Sequence, residues 1–510
     1  MSDELVLEGN SQDFVFQNLP ERIVQAIPLD EGAGGISSVV PFLDEVTSWM
    51  SELVQAHESD ALMIWAMTTV KEAFAHNRPE GVVTAREWTK LQAPLAEIRQ
   101  TALLSLEVVA AYGAPNIIPR PVADESTRWQ LLTVARLQYI ASNLLAYTRV
   151  GVGRLSLEPT TYGGGVILRM HDLSIDTDRW VRDRAAHLDR YGDVTKASQH
   201  LLWLTGQAQT APGPWQALDS AFRADHGFSL RDLIDALATL GQVRDGLKPI
   251  KIDDLIKVLA TQGHLTEENA RHAIRYLTFS PDRNMIEPFK QRERPGRLLL
   301  RPLIPRGSSE LWVPEGLQAS SLTAYIKAFD DLMTPWPEPL PAARTRFDDL
   351  IKGAEAARNL DFEKDVARRL EMIGFSAEQG VKGLKGVVIH GDVDVLAGLD
   401  LGDRLILAVI EAKDPIETTS PGQIGSQIRN AAEWLSKHRR RVSALSTPEA
   451  KLAIARRLGL PLRSEITIVE RIVTRTPSIS AYSHSLRSDI TYVDDFVVEL
   501  KGLSFPSGPA

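Results

Sequence analysis

Four side chains in the last third of the chain have the types and spacing to handle a cation and a phosphate together: Glu363, Asp394, Glu411 and Lys413. From Arg404 to Asp414 the residues Leu405, Leu407 and Val409 alternate with Ile406, Ala408 and Ile410. Both faces of such a strand are apolar, which marks a buried central strand. The first face ends in Glu411 and Lys413, two residues apart, on the same side and about 6.5–7 Å from each other along the chain. Just upstream, Asp392, Asp394 and Leu396 share one face of a second strand. The short connection Leu399-Asp400-Leu401-Gly402-Asp403 makes the two strands antiparallel neighbours. Asp394 then stands across from Glu411 at the polar end of the sheet.

The chemistry of that set is specific. Mg²⁺ or Mn²⁺ takes oxygen ligands, commonly one or two carboxylates completed by water and phosphate. Asp394, Glu411 and the backbone carbonyl of Ala412 would supply one side of such a shell. The cation would polarise a phosphodiester and acidify water, while Lys413 would stabilise the developing negative charge. Glu363, beside the apolar stripe Phe362, Val366 and Leu370 of a helix, is either a helix cap or ion-pair partner or a further ligand reaching in from the side. The plainer alternative for the cluster is a structural ion-pair group, although three charges on an interior-facing surface are costly without a ligand or tight pairing. Asp392 ranks second to Asp394 as the ligand. His390 is read as a strand residue.

The elements that must position these residues follow from the pattern between 342 and 503. Helices are expected at 342–356 and 361–373, strands at 387–397 and 404–413, and a helix at 421–438. A second helix at 447–458 follows the N-cap signal Ser446-Thr447-Pro448-Glu449. Strands at 465–474 and 489–493 precede a final helix from Asp494. Lys437, His438, Arg439, Arg440 and Arg441 form a basic run expected at a helix C-terminus, with Arg429, Arg456 and Arg457 adding to it. Such a run serves either the helix dipole or a phosphate backbone.

Taken in order, a helix with Phe362-Glu363, the strand Gly391-Asp392-Val393-Asp394-Val395-Leu396-Ala397, the strand Val409-Ile410-Glu411-Ala412-Lys413 and a helix with Gln427 resemble the PD-(D/E)XK nuclease superfamily, the restriction-endonuclease-like fold. The resemblance covers about 342–500. It implies a mixed central sheet, Mg²⁺ or Mn²⁺ as cofactor, and metal-binding and catalytic roles for Asp394, Glu411, Lys413 and Glu363. It also implies an accessory place for Gln427 or Gln423. Val393 stands where the motif's proline would be, and Ala431 and Trp434 occupy the region of the tyrosine that often follows the glutamine.

Before this segment lies a different kind of sequence. Residues 1–334 are expected to be mostly helical, with the first 20 or so poorly structured. Phe42, Val46, Trp49 and Leu53 recur at helical spacing. Residues 252–278 read as two short helices around Gln262-Gly263-His264-Leu265, with Thr266 capping the second. That is an ordinary helical hairpin or a helix-turn-helix. Arg297 to Ile304 and Leu311 to Val313 read as a strand pair turning at Arg306-Gly307-Ser308-Ser309, a small winged appendage in one reading. Gly163-Gly164-Gly165 lacks the Lys-Ser/Thr of a nucleotide loop. Pro335, Pro337, Pro339 and Pro341 form a stiff linker over 335–341, and 504–510 is a tail.

The 510 residues include no cysteine, which excludes disulfides and thiolate metal sites. The net charge is −9, yet residues 341–510 hold 24 basic and 23 acidic side chains, and 425–475 hold 11 and 4. The acidity therefore belongs to the first 340 residues. An acidic N-terminus and an apolar stretch broken by Arg136, Gln138, Asn143 and Arg149 predict neither signal peptide nor membrane span, so a cytoplasmic chain is expected. The overall expectation is an α+β multidomain protein: a helical region that recognises a substrate, a second copy or another protein, followed by a divalent-metal nuclease domain. The resemblance favours DNA over RNA and an endonuclease over an exonuclease, and restriction or anti-phage defence is the expected setting. The competing expectation is a non-catalytic nucleic-acid-binding or assembly module on the same fold.

Overall fold

A computed structural model describes residues 11–27, 36–75, 85–113, 119–160, 164–191, 214–243, 247–280, 297–330, 341–389, 391–415 and 421–504. The chain divides into two compact units. The first comprises residues 1–173, 191–351 and 420–422, and the second 174–190, 352–419 and 423–510. The mixture of a helical N-terminal region and a C-terminal mixed sheet agrees with the expected class.

The first unit is built on the long helices Ile36–Ala56, Ser59–Ala75, Ala85–Tyr112 and Glu125–Arg149. It also holds a three-stranded sheet where no strand is expected. Ser11–Phe16 and Arg154–Pro159 flank Val166–His171, both antiparallel to it. The expectation of disorder over the first 20 residues is thus corrected for 11–16. Leu155, Leu168, Met170 and Phe16 bury one face of these strands, but the partners lie 150 residues apart in sequence, beyond any local signal. Gly164, with φ of +71°, lies in the turn joining the hairpin. Among the described residues, no helix is long and apolar enough to cross a membrane.

The second unit is a three-layer sandwich. Its elements are α1 (Thr177–Tyr191), α2 (Pro341–Glu371), β1 (Ser376–Val381), β2 (Val393–Asp400), β3 (Arg404–Lys413), α3 (Pro421–Leu445), α4 (Pro448–Arg457), β4 (Glu465–Thr474), β5 (Ile490–Tyr492) and α5 (Val493–Ser504). The sheet order is β5-β4-β3-β2-β1. β1, β2 and β3 run antiparallel in turn, whereas β4 lies parallel to β3 and β5 parallel to β4. β3 is central and buried almost throughout, as its two apolar faces require. On one face Ile406, Ala408 and Ile410 pack with Phe362, Val366 and Leu370 of α2 and Phe496 and Leu500 of α5. On the other, Leu405, Leu407 and Val409 pack with Val442 and Leu445 of α3 and Ile454 of α4.

Several expected boundaries shift. The two helices at 342–356 and 361–373 are one continuous helix, because Asn359-Leu360 carries no breaker strong enough to interrupt it. Pro341 starts that helix instead of ending a linker, since proline is tolerated in a first helical turn. Pro335, Pro337 and Pro339 lie outside the described residues. The strand expected at 387–397 begins only at Val393. The edge strand β1 went unread because Ser-Ala-Glu-Gln-Gly-Val is polar, as exposed edges tend to be. α3 continues to Leu445, so the basic run lies inside the helix and not at its end.

Candidate active site

The site forms where the β2–β3 ladder opens. The register runs from Asp400↔Leu405 to Val395↔Ile410 and stops there. One step further stand Asp394 and Glu411. In place of the next ladder bond, the Ala412 amide donates to Asp394 Oδ2 at 2.9 Å. Lys413 Nζ lies 3.1 Å from the same Asp394 oxygen and 2.7 Å from Glu411 Oε1. The other Glu411 oxygen accepts from the Arg441 guanidinium. The strand's alternation delivers Glu411 and Lys413 to the α3 face, and α3 in turn presents Arg441, one turn before its end.

Electrostatics sort the members. Burial acts to raise the Glu411 carboxyl, but Lys413 and then Arg441 outweigh it and hold the group below its usual range. Burial acts against the Lys413 ammonium, yet Asp394 and Glu411 raise its pKa above the ordinary lysine value. Asp394 is raised, chiefly by burial, with Lys413 opposing and the Glu411 charge adding to the rise. Glu411 ionised beside a charged Lys413 is therefore the firm part of the cluster. Glu363 is half-buried. Burial, and then the neighbouring Asp394 carboxylate, push it up to about 7. It lies on α2, next to Phe362, and is near enough to feel the charges of Asp394, Lys413 and Glu411.

α2 is fixed beside those ends by Arg475, which follows β4. Its guanidinium pairs with Asp361 at 2.8 Å and with Asp414 at 3.2 Å, and lies over the Phe362 ring. Asn359 Oδ1 accepts from the Asp414 amide at 3.0 Å. Thus the helix carrying Glu363 is tied directly to the residue that follows Lys413. Arg475 and Asn359 were not singled out in the sequence, because nothing in their local pattern reports a partner 60 to 120 residues away.

The expected accessory residues separate. Gln427 is buried, and its Oε1 accepts from Ser478 Oγ at 3.1 Å, which in turn bonds Ser480 Oγ at 2.9 Å. The side chain of Gln423 falls outside the described residues. Arg429 is exposed and donates to Ser426 on its own helix. Lys437, Arg439 and Arg440 are exposed, with Lys437 paired to Glu433 and Arg439 to Asp489. Arg441 is the exception within the run. It is 8% exposed and turned onto Glu411, so its expected place on a phosphate-binding surface is corrected to the interior of the site. His438, one turn earlier, is also buried, neither ring nitrogen has a hydrogen-bond partner among the described residues, and burial lowers it to about 4. Both residues fall on the sheet-facing side of α3 by helical spacing, a signal masked by the surrounding charges. Asp392 is exposed just before β2, and His390 lies outside the described residues.

The donor set has the chemistry that a hard divalent cation takes: carboxylate oxygens, no thiolate, and a third carboxyl, Glu363, raised first by burial and then by its acidic neighbours. Asp394 and Glu411 are the side chains that could hold one. Among the described residues no group of three or more acidic or histidine side chains is arranged to hold a metal ion. Compared with models of known protein families, with curated proteins and with solved structures, the chain matches none.

Proposed function

We propose that the second unit hydrolyses phosphodiester bonds in nucleic acid, with Mg²⁺ or Mn²⁺ as cofactor. The observation that carries this reading is the placement of Lys413 Nζ between Glu411 and Asp394 at the open end of a buried strand pair. A bound cation would supply Lewis acidity toward the phosphate. The chain's own residues do the rest. Asp394 and Glu411 would hold the ion, and the Ala412 amide keeps Asp394 in place. Lys413 presents a permanent positive charge where an attacking water and a phosphate oxygen gain negative charge. Glu363, poised near neutrality, can take a proton from that water. DNA is the favoured substrate on the resemblance described above, and restriction or anti-phage defence remains the proposed setting for a cytoplasmic endonuclease.

One observation favours a second reading. The carboxylates are already paired with Lys413 and Arg441, as they would be in a structural ion cluster on a non-catalytic binding module. Cleavage of linear, supercoiled, single-stranded and branched DNA and of RNA, with and without Mg²⁺, separates the two. Metal-dependent cleavage by the wild type that Lys413→Ala and Asp394→Ala abolish supports the enzyme. Salt-sensitive binding with no turnover in Mg²⁺ or Mn²⁺ leaves the binding module.

A further inference from the structure

Residues 229–313 of the first unit carry a second recognisable arrangement, independent of the strand-end cluster. Helix Leu230–Leu240 is followed by the short strand Ile250–Lys251, then helices Ile252–Gln262 and Glu267–Leu277. The hairpin strands Ile304–Arg306 and Glu310–Trp312 come last. Glu310–Trp312 lies in the middle of this sheet, antiparallel to both other strands. Three helices, with a hairpin whose second strand pairs back to a strand before the second helix, make a winged helix-turn-helix.

The parts are locally well specified. Ser229 and Asp232 form a capping box, and Thr266 Oγ1 caps the third helix by accepting from the Asn269 amide at 3.1 Å. Asn269 Nδ2 bonds Asp232, tying the third helix to the first. Leu233, Leu237, Leu255, Leu259, Ile274 and Leu277 are buried among these helices. The wing turns at Gly307, with φ of +64°.

The outward face of helix Glu267–Leu277 is what suggests a ligand. Its buried stripe is Ala270, Ala273, Ile274 and Leu277, so Glu267, Glu268, Arg271 and Arg275 face away and are exposed. Arg271 and Arg275 lie one helical turn apart on the same face. Among the described residues neither forms an ion pair or hydrogen bond. By contrast Arg306, at the base of the wing, is already held by Asp60 and Glu310. No large apolar side chain is exposed on that helix, on the turn before it or on the wing. A protein-docking surface needs an apolar or aromatic centre, and this face offers only hydrogen-bonding groups. The major groove is about 12 Å wide and admits a helix of about 10–12 Å. Two arginines about 6 Å apart along a helix span about two base steps, and each can bind a guanine edge through both ring-side acceptors. Glu267 and Glu268 in the first turn are acceptors suited to the cytosine amino group.

We propose that this module is a sequence-reading site for double-stranded DNA, with helix Glu267–Leu277 in the major groove and Arg271 and Arg275 contacting guanines. It does not depend on the second unit being a nuclease. Full-length protein in EDTA, where a metal-dependent enzyme cannot cut, is incubated with 30-base-pair duplexes of randomised sequence, and the retained fraction is sequenced. The expected result is enrichment of a short guanine-containing motif. Arg271→Ala with Arg275→Ala should lose that enrichment and bind the selected duplex about tenfold or more weaker, with an unchanged melting profile because both side chains are exposed. Arg271→Lys with Arg275→Lys should keep salt-dependent binding but lose the motif. Wild type that enriches no motif, or a double alanine variant that enriches the same one, overturns the proposal. So does self-association or partner binding that is lost in the alanine variant while DNA retention stays the same.

Discussion

The Tyr482 hydroxyl donates to the Asp183 carboxylate at 3.1 Å, joining residues 299 positions apart. The helix that carries Asp183, α1, comes from the N-terminal half of the sequence yet belongs to the second unit. Trp180 donates to the Pro477 carbonyl at 2.8 Å, Arg179 pairs with Asp495 at 2.7 Å, and His187 bonds the Tyr492 hydroxyl at 2.9 Å. The β-bridge Ile175↔Ser483 fixes the entry. Trp180 is 5% exposed. Its replacement by alanine removes a buried aromatic body and orphans a carbonyl, and should destabilise the second unit by about 3–5 kcal/mol. Urea denaturation followed by circular dichroism checks this. A fragment starting at residue 342 lacks the same helix and is expected to fold poorly, whereas the fragment with residues 174–190 fused to it should recover.

Arg441 gives a second expectation. It is buried against Glu411, which keeps only Lys413 if the guanidinium is removed. Arg441→Ala should cost about 3 kcal/mol, the lower part of the range for breaking a buried pair, since one partner survives. Arg441→Lys should recover part of this, limited by its point charge and shorter reach. A double-mutant cycle with Glu411→Gln tests the assignment. Additive effects of the two substitutions would show that the contact carries no energy.

Gly391 stands at φ of +87°, and a Cβ there would meet the Arg441 guanidinium at 3.4 Å. The turn into β2 therefore needs a residue that tolerates the left-handed region beside a fixed cation. Gly391→Ala should cost about 1–2 kcal/mol from the backbone alone. It should also lower any activity of the Asp394 cluster three residues on. Thermal melting and cleavage rates measured together would show both effects, and an unchanged melt would refute the backbone argument.

The parts of this fold legible in the sequence are those with local causes. β3 announces itself by two apolar faces, β4 runs over the expected Glu465 to Thr474, and Thr447-Pro448 starts α4 where its capping chemistry places it. Asp394, Glu411 and Lys413 were found because one strand's alternation and one short connection sufficed to bring them together. Arg441 was seen only as one of five neighbouring charges, since its burial depends on α3 packing over the sheet. The strand Ser11–Phe16, and the place of helix α1 in the second unit, are hidden for a related reason. Each is completed by partners far along the chain, and neither carries a pattern that names them.

His226 offers a test by pH in the first unit. Its ring lies 4.7 Å, centroid to centroid, from both Phe222 and Tyr276. Burial, with Arg301 adding, lowers its pKa from 6.5 to about 4. A histidine whose folded pKa lies below its unfolded value favours the folded state while it is neutral. That contribution is full above about pH 6.5 and is lost as pH falls toward 4. The ring is only partly buried, so solvent screening reduces the effect, and the loss across the window is on the order of 1–2 kcal/mol. His226→Phe keeps an aromatic ring in the site and removes the titration. Denaturant unfolding of wild type and variant at pH 7, 6, 5 and 4 should show curves that diverge below pH 6.5, the wild type losing more stability. Parallel curves over that range would mean that His226 is protonated as readily in the folded chain as in the unfolded one.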